Sequence, residues 1–201
     1  MTFFRDSSEY VYSPSAIPDR NVGWLSPWRS YAKGPVPAGF LDALRLHVAV
    51  PRNQTRGFHR CGFCLRRGRE GLPAVTMPTG VEVPLGSAEI HLFSAEGIIY
   101  SSPDLIYHYV ECHGYRPPGD YVEAVMAPGL NREVLRRLRE VLVRAQEAND
   151  RIDAALDLLV MSPYEAQGYI SAADLDGAAN LFLKQKLMVV ERRLGTDWQS
   201  R

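Results

Sequence analysis

Two cysteines separated by two residues, Cys61 and Cys64, constrain this chain more than any other feature of its sequence. A Cys-x-x-Cys turn presents two sulfurs to one metal ion, and zinc prefers four sulfur or nitrogen ligands at the corners of a tetrahedron. The second pair of ligands must come from elsewhere. His108 and His113 lie in "SSPDLIYHYVECHG", a segment whose capping residues predict a helix. We therefore expect one zinc ion held by Cys61, Cys64, His108 and His113.

Two further residues are alternative or outer contacts of this site. Cys112 shares a helix face with His108 at a spacing of four residues, so it can replace a histidine as ligand. His59 precedes Cys61 by two residues and is a candidate outer-shell partner, although a plain loop position is the simpler interpretation. The competing interpretation of the whole set is that the thiols are small buried apolar groups and the histidines are core residues.

The pattern favours a structural rather than a catalytic metal. No H-E-x-x-H motif occurs in the chain, and "HYVECH" has one residue too many to match H-x-x-E-H. Two cysteines and two histidines also fill a tetrahedron and leave no coordination position for water. A thioredoxin-like redox motif is disfavoured because no βαβ unit leads into Cys61.

Arginines crowd the cysteine pair, with Phe58 and Phe63 between them. Such a cluster can bind phosphates, and the aromatic rings can stack on bases. The chain as a whole has zero formal net charge, which favours an ordinary solvated surface over a nucleic-acid site. The candidate nucleic-acid contacts are Arg52, Arg56, Arg60, Arg66, Arg67 and Arg69.

Four segments carry a family resemblance: "VGWL" (22–25), "GPVPAGFLDALR" (34–45), "RGFHRCGFC" (56–64) and "YSSPDLIYHYVECHGYRPPGDYVEAV" (100–125). They resemble a family of small uncharacterised bacterial proteins with the pattern G-x-H-x-C-x-x-C, followed by Y-x-x-P-x-L-I-x-H-Y-x-x-x-H-x-Y-x-P-P-x-x-F. The resemblance implies that the four expected zinc ligands are the matching polar positions and that Cys112 is a local addition. Tyr121 departs from the pattern, which often has Phe there. The resemblance supports the site and leaves the activity open.

The remaining pattern predicts an α+β fold. "AGFLDALRLHV" has helical spacing, and "AEIHLF" with "GIIY" predicts a β-hairpin. The helix after the hairpin is expected to be capped by Ser102 and to end at Gly114. We divide the chain into an irregular arm (1–38), a zinc-binding α+β core (39–128) and an α-helical extension (129–201). The aromatic residues of the arm, Trp24, Trp28 and Tyr31, are expected to pack onto the core.

The extension begins with apolar residues at alternating spacings of three and four, which is typical of a coiled-coil seam. This pattern predicts either a helical hairpin within the chain or self-association, with a homodimer through residues 130–194 slightly preferred. Asn149 favours the dimer, because one polar residue in a seam can fix the register of paired helices. The seam positions are Leu135, Leu138, Leu142, Ala145, Asn149, Ile152, Leu156 and Leu159.

Composition limits the class of protein. The chain has 201 residues, of which 46% are hydrophobic and 23% charged, as in soluble globular proteins. Three cysteines, no signal-peptide pattern and no membrane-length apolar run indicate a reducing cytoplasm. We expect a non-enzymatic binding or regulatory protein that acts through protein–protein contacts. The alternatives are a nucleic-acid-binding protein and an enzyme of unrecognised type.

Overall fold

A computed structural model describes residues 2–12, 17–127, 129, 131–173, 175 and 177–195. In this part of the chain, four strands form one sheet in the order β1-β2-β6-β5, and β3 pairs with β4 in a second sheet. The contact between β2 and β6 is parallel, and the other strand pairs are antiparallel. The strands are β1 (Ser8–Glu9), β2 (Arg20–Asn21), β3 (Ala74–Thr76), β4 (Glu82–Pro84), β5 (Glu89–Phe93) and β6 (Ile99–Pro103).

Eight helices in the described residues complete a mixed α+β fold, as the sequence predicts. The first four belong to the core and the last four to the extension. The core helices are α1 (Phe40–Val48), α2 (Gly62–Leu65), α3 (Ile106–His113) and α4 (Gly119–Met126). The extension contains α5 (Arg132–Arg144), α6 (Ala148–Met161), α7 (Pro163–Ala172) and α8 (Gly177–Leu194).

The N-terminal arm is more ordered than its composition suggests. Its strand β2 pairs with β6 and its strand β1 pairs with β2, so the arm extends the main sheet and is part of the core architecture. Trp24 is buried, and its indole Nε1 donates a hydrogen bond to the carbonyl oxygen of Ser101 at 3.4 Å. Tyr31 is half-buried, but Trp28 is 78% exposed and does not pack into the core.

The predicted hairpin is confirmed as β5 and β6, whose residues are all buried. The predicted cap of the following helix is wrong. Ser102 lies in β6, where it pairs with Ile90, and α3 begins only at Ile106. Asp104 turns back instead, and its carboxylate accepts hydrogen bonds from the backbone N–H groups of Gly86, Ser87 and Ala88. Strand β6 therefore includes Pro103, which the sequence placed in the first turn of the helix. The hydrogen bonds of Asp104 fix the loop before β5.

The expected seam does not lie on one continuous helix. Helix α5 ends at Arg144, α6 begins at Ala148, and the two helices pack against each other within the chain. Arg151 of α6 satisfies the end of α5, because its Nε donates to the carbonyl oxygen of Leu142 at 2.8 Å. Asn149 is exposed beside this turn, so it does not occupy a helix seam in the chain.

The leucines and isoleucine of the seam are buried in this intramolecular packing. The helical-hairpin alternative therefore describes how α5 and α6 use these residues. Self-association of the extension stays a prediction, but it needs a different surface from the one that the heptad spacing indicated.

A buried ion cluster joins the extension to the core. Asp157 of α6 is fully buried, and its carboxylate contacts the guanidinium of Arg52 at 2.6 Å and Nδ1 of His91 at 2.8 Å. Burial opposes the charge on Asp157, but Arg52 and His91 outweigh this effect and lower the pKa of the carboxyl group. Nearby, the backbone N–H of Asn53 donates to Asp153 at 3.0 Å.

The last helix also returns to the core. The Thr79 hydroxyl donates to the carbonyl oxygens of Arg192 and Arg193, both at 3.0 Å, and thereby satisfies the end of α8. Arg193 donates to the carbonyl oxygen of Ala49 at 3.2 Å. The extension is thus fixed to the core at α6 and at the C-terminal end of α8.

Candidate metal centre

The cysteine pair lies on a tight turn that α2 continues. The Sγ of Cys61 accepts the backbone N–H of Cys64 at 3.4 Å, and the carbonyl oxygen of Cys64 accepts the N–H groups of Arg67 and Arg69. Glycine at position 62 is favoured by a close contact with the arm rather than by its own backbone angles. A Cβ at this position would lie 3.0 Å from Cγ of Pro27, which packs against the turn.

The segment before the cysteine turn is fixed by the loop that precedes β5. The backbone N–H of His59 donates to the carbonyl oxygen of Gly86 at 2.7 Å. Gly86 has a φ of 107°, and a Cβ there would lie 2.2 Å from the carbonyl oxygen of His59. This close backbone contact explains the glycine and fixes the position from which the chain enters the cysteine turn.

Helix α3 supplies the two histidines. It follows the β5–β6 hairpin directly, and Gly114 ends it in the left-handed conformation at φ 61°, as the sequence predicts. His108 lies in the helix interior and His113 at its last residue. The two Nε2 atoms approach each other to 3.2 Å, so both rings point to the same location beside α2.

The four donor atoms lie close enough together to hold one metal ion. All four lie within 4.8 Å of one another. The Sγ of Cys61 is 3.2 Å from Nε2 of His113, and the Sγ of Cys64 is 3.3 Å from Nε2 of His108 and 3.5 Å from Nε2 of His113. Ideal zinc bond lengths give sulfur–nitrogen edges of about 3.6 Å and nitrogen–nitrogen edges of about 3.4 Å. The structure therefore brings together the four residues that the sequence selects, at distances that fit one metal ion.

The cluster is buried, and burial controls its protonation. Cys61 is 1% exposed and Cys64 6%, while both histidines are 8% exposed. Burial lowers the pKa of His108 to about 4, with His113 and Arg69 adding to the effect. The pKa of His113 is also lowered, first by burial and then by Arg67, Arg69 and Lys33. Both imidazoles are therefore neutral at neutral pH, which is the state that binds metal.

The Cys61 thiol shows the opposite effect. Burial raises the pKa of Cys61 to about 11, so without a cation the thiol keeps its proton. A bound metal removes that proton, because the ligand that coordinates is the thiolate. Without a metal ion, the Cys61 thiol is protonated and both imidazoles are neutral. A cation would complete the site by replacing the thiol proton.

Aromatic rings surround the cluster on the side of α3. The ring of Phe63, between the cysteines, lies 5.1 Å from the His113 ring and 5.7 Å from the Tyr109 ring. Tyr31 of the arm packs edge-on against Phe63 at 5.2 Å, and its hydroxyl donates to the carbonyl oxygen of His113 at 3.2 Å. This shell limits access of water to the donor atoms and ties the arm to the site.

The alternative ligands lie elsewhere. Cys112 is exposed, and its Sγ lies 3.7 Å from a carboxylate oxygen of Glu111. His59 is exposed as well, and the metal-sized cluster includes neither residue. Among the described residues, that cluster is the one group of three or more His, Cys, Asp or Glu side chains close enough to hold a metal ion.

The arginine cluster divides into one interior residue and several surface residues. Arg52 is 2% exposed and pairs with Asp157, so it does not belong to the surface expected from the sequence. The other arginines of this cluster, Arg56, Arg60, Arg66, Arg67 and Arg69, are exposed.

Sequence reasoning missed the ion cluster of Arg52, His91 and Asp157. A signal was present, because His91 and Asp157 interrupt the apolar runs "EIHLF" and "ALDLL". Polar residues in such runs are buried only with a partner. The sequence does not identify the partner, because the two residues are 66 positions apart.

A family model described as "Domain of unknown function (DUF7919)" matches residues 2–126, from the arm to the last residue of α4. No curated protein matches the chain. No solved structure matches it either. Among the helices that the structure describes, none has the length and apolar character needed to cross a membrane.

Proposed function

This chain belongs to the DUF7919 family, whose function is unknown, and we propose that it is a non-enzymatic binding protein whose core is stabilised by one structural zinc ion. The spacing of the four donor atoms carries this proposal. Two thiolates and two imidazoles complete a tetrahedron around zinc, so no position is left for water or substrate. A closed coordination shell supports folding rather than hydrolysis.

The donor set of two sulfurs and two nitrogens selects against hard cations. Soft thiolates with imidazoles in a tetrahedron favour zinc over magnesium and calcium, which prefer oxygen ligands. The site contains no carboxylate. The rings of Tyr31, Phe63 and Tyr109 also suit a buried structural ion, because they pack around Phe63 and His113 and limit the access of water to the donor atoms.

The ion would join parts of the core that are far apart in sequence. Cys64 and His108 are separated by 44 positions, which include both β-hairpins. Closing such a long loop restricts the unfolded chain, and the free energy of metal binding adds to that of folding. Helix α2 has only four residues, and Cys64 is its buried one, so the ion would stabilise the position of α2 against α3.

The extension offers a surface for protein contacts on α8. One face of this helix, with Ala179, Leu183 and Val190, is buried, and α8 packs against α6. The opposite face is exposed and apolar at coiled-coil spacing. Its large members are Leu181 (59% exposed), Phe182 (43%), Met188 (61%) and Val189 (43%).

A second copy of the chain is the occupant that we propose for this face. Ala178, Leu181, Gln185 and Met188 alternate at spacings of three and four, which is the pattern of paired helices. Gln185 stands in the middle of this stripe and is exposed. In a pair related by a twofold axis, it can contact the same residue of the second copy and fix the register.

We predict that Met188→Glu abolishes self-association. A charge in the centre of a helix pair loses solvation without gaining a partner. Light scattering at tens of micromolar should give twice the chain mass for the unaltered protein and the single-chain mass for the variant. Val143→Glu is the matched control, because Val143 is 60% exposed on α5 and lies outside the stripe. A single-chain mass for the unaltered protein would rule out the dimer.

A further inference from the structure

Positive charge is concentrated around the cysteine turn. Residues 26–69 contain nine Lys or Arg residues and one acidic residue, Asp42, in a chain whose formal net charge is zero. Two of the nine are compensated: Arg52 by Asp157, and Arg45 by Asp42 at 3.0 Å. Within the described residues the other seven are exposed and form no ion pair. They are Arg29, Lys33, Arg56, Arg60, Arg66, Arg67 and Arg69.

An exposed tryptophan lies on the same surface. Trp28 is 78% exposed, and the guanidinium carbon of Arg66 lies 4.4 Å from the centre of its ring. Arg66 also donates to the carbonyl oxygen of Pro27 at 2.7 Å, so the arm holds the arginine over the indole. The stack orients one face of the ring towards Arg66 and leaves the remaining ring surface to solvent.

The other charges lie close to this stack. The backbone N–H groups of Arg67 and Arg69 both donate to the carbonyl oxygen of Cys64, which fixes them on the same turn as Arg66. The ammonium of Lys33 lies 5.2 Å from the Tyr31 ring, and that ring packs against Phe63 of the same turn. Arg29 is the residue next to Trp28, and its guanidinium lies 5.8 Å from the Phe3 ring. We call the surface formed by Trp28, Arg29, Lys33, Arg66, Arg67 and Arg69 the knuckle face.

We propose that the knuckle face binds single-stranded nucleic acid. Phosphates would contact the unpaired arginines and Lys33, and a base would stack on the exposed part of the Trp28 ring. The knuckle face shares no residue with the α8 stripe, and the proposal does not depend on which metal the Cys/His cluster holds. The Cys/His cluster would hold α2 beside the arm, together with Arg66 and Arg67, which follow α2.

Two observations favour a single strand over other anionic partners. An acidic protein segment would form ion pairs with the arginines, but its carboxylates would not stack on the exposed indole. A flat ring with an arginine held over it suits an unpaired base, which has a π-face of its own. The one helix of this surface, α2, has four residues and is too short to read a duplex major groove.

The test is fluorescence anisotropy with labelled 12-nucleotide strands of mixed sequence, one DNA and one RNA, titrated with the full chain. We expect binding that weakens steeply between 50 and 200 mM salt, as phosphate contacts require. Trp28→Ala should weaken binding about tenfold or more, the range of one lost base stack. Arg67→Gln with Arg69→Gln should reduce the slope of log affinity against log salt by about 1.4.

Arg139 and Tyr169 provide the matched control. The guanidinium of Arg139 lies 4.0 Å from the Tyr169 ring, so the extension carries the same kind of stack outside the knuckle face. Tyr169→Ala and Arg139→Gln should leave affinity for both strands unchanged. Thermal unfolding and metal content of every variant would exclude loss of fold as the cause of weaker binding.

Three results would overturn the proposal. They are absence of binding at 50 mM salt, an unchanged affinity in Trp28→Ala, and an equal loss in the Arg139 control. Polyglutamate that competes as well as the oligonucleotides, together with indifference to Trp28→Ala, would identify an acidic protein segment as the ligand instead. A failure of this kind leaves the zinc proposal intact, because metal content is measured separately.

Discussion

Replacing Asp157 by alanine is expected to lower the free energy of unfolding by about 3–5 kcal/mol, the usual effect of removing one member of a buried ion pair. The carboxylate is fully buried and contacts both Arg52 and His91. Without it, the guanidinium keeps its charge and its hydrogen bond to the carbonyl oxygen of Val50, but it has lost its counter-ion in the interior. Urea unfolding followed by circular dichroism measures this loss.

The matched control for this substitution is an exposed ion pair. Glu140 contacts Arg136 at 2.7 Å on the surface of α5, where solvent screens the charges. Glu140→Gln should therefore leave the urea midpoint nearly unchanged. If Asp157→Ala shifts the midpoint as little as the control, the ion cluster does not join the extension to the core in the way that its contacts indicate.

Cys61→Ser is expected to release the metal and to lower the free energy of unfolding by several kcal/mol. A serine hydroxyl is a poor zinc ligand, and the free energy of binding a structural metal contributes directly to folding. A chelator should destabilise the unaltered chain in the same direction. Thermal unfolding with and without the chelator measures both effects.

Cys112→Ser is the control for this prediction. Cys112 lies next to His113 in sequence, but its side chain is exposed and outside the cluster. Its replacement should change neither the unfolding temperature nor the metal content. Equal destabilisation by the two serine substitutions would show that thiol loss in general, rather than loss of a ligand, weakens the fold.

The metal cluster was predictable because its ligands are marked by local spacing. A Cys-x-x-Cys turn and a histidine-bearing helix after a hairpin are each recognisable from sequence, and the four side chains converge in the structure. The role of Gly62 was not predictable in the same way. Its neighbour Pro27 comes from the arm, so the reason for glycine lies in a contact between distant segments.

The seam of the extension shows the limit of periodicity. Spacings of three and four identify which residues face a partner, and Leu138, Leu142, Ile152 and Leu156 are indeed buried. The same spacing continues across 145–147, where α5 ends and the chain reverses. A helix pair in one chain and a pair from two chains bury the same residues, so the pattern alone does not distinguish them.

Charge patterning was misleading for one residue and incomplete for others. Arg52 looks like its arginine neighbours in sequence, but it is drawn into the interior by Asp157, which lies 105 positions away. Conversely, Trp28 and Arg29 join the basic surface although they are distant from the cysteines in sequence. Both placements depend on contacts between residues that are far apart in sequence. A short stretch of sequence does not show such contacts.

We propose that one zinc ion is held by Cys61, Cys64, His108 and His113. Metal analysis by mass spectrometry tests this most directly, on the full chain purified without added zinc and compared with Cys61→Ser and Cys112→Ser. We predict one zinc per chain in the unaltered protein and in Cys112→Ser, and none in Cys61→Ser. A fully folded, metal-free chain would contradict the account.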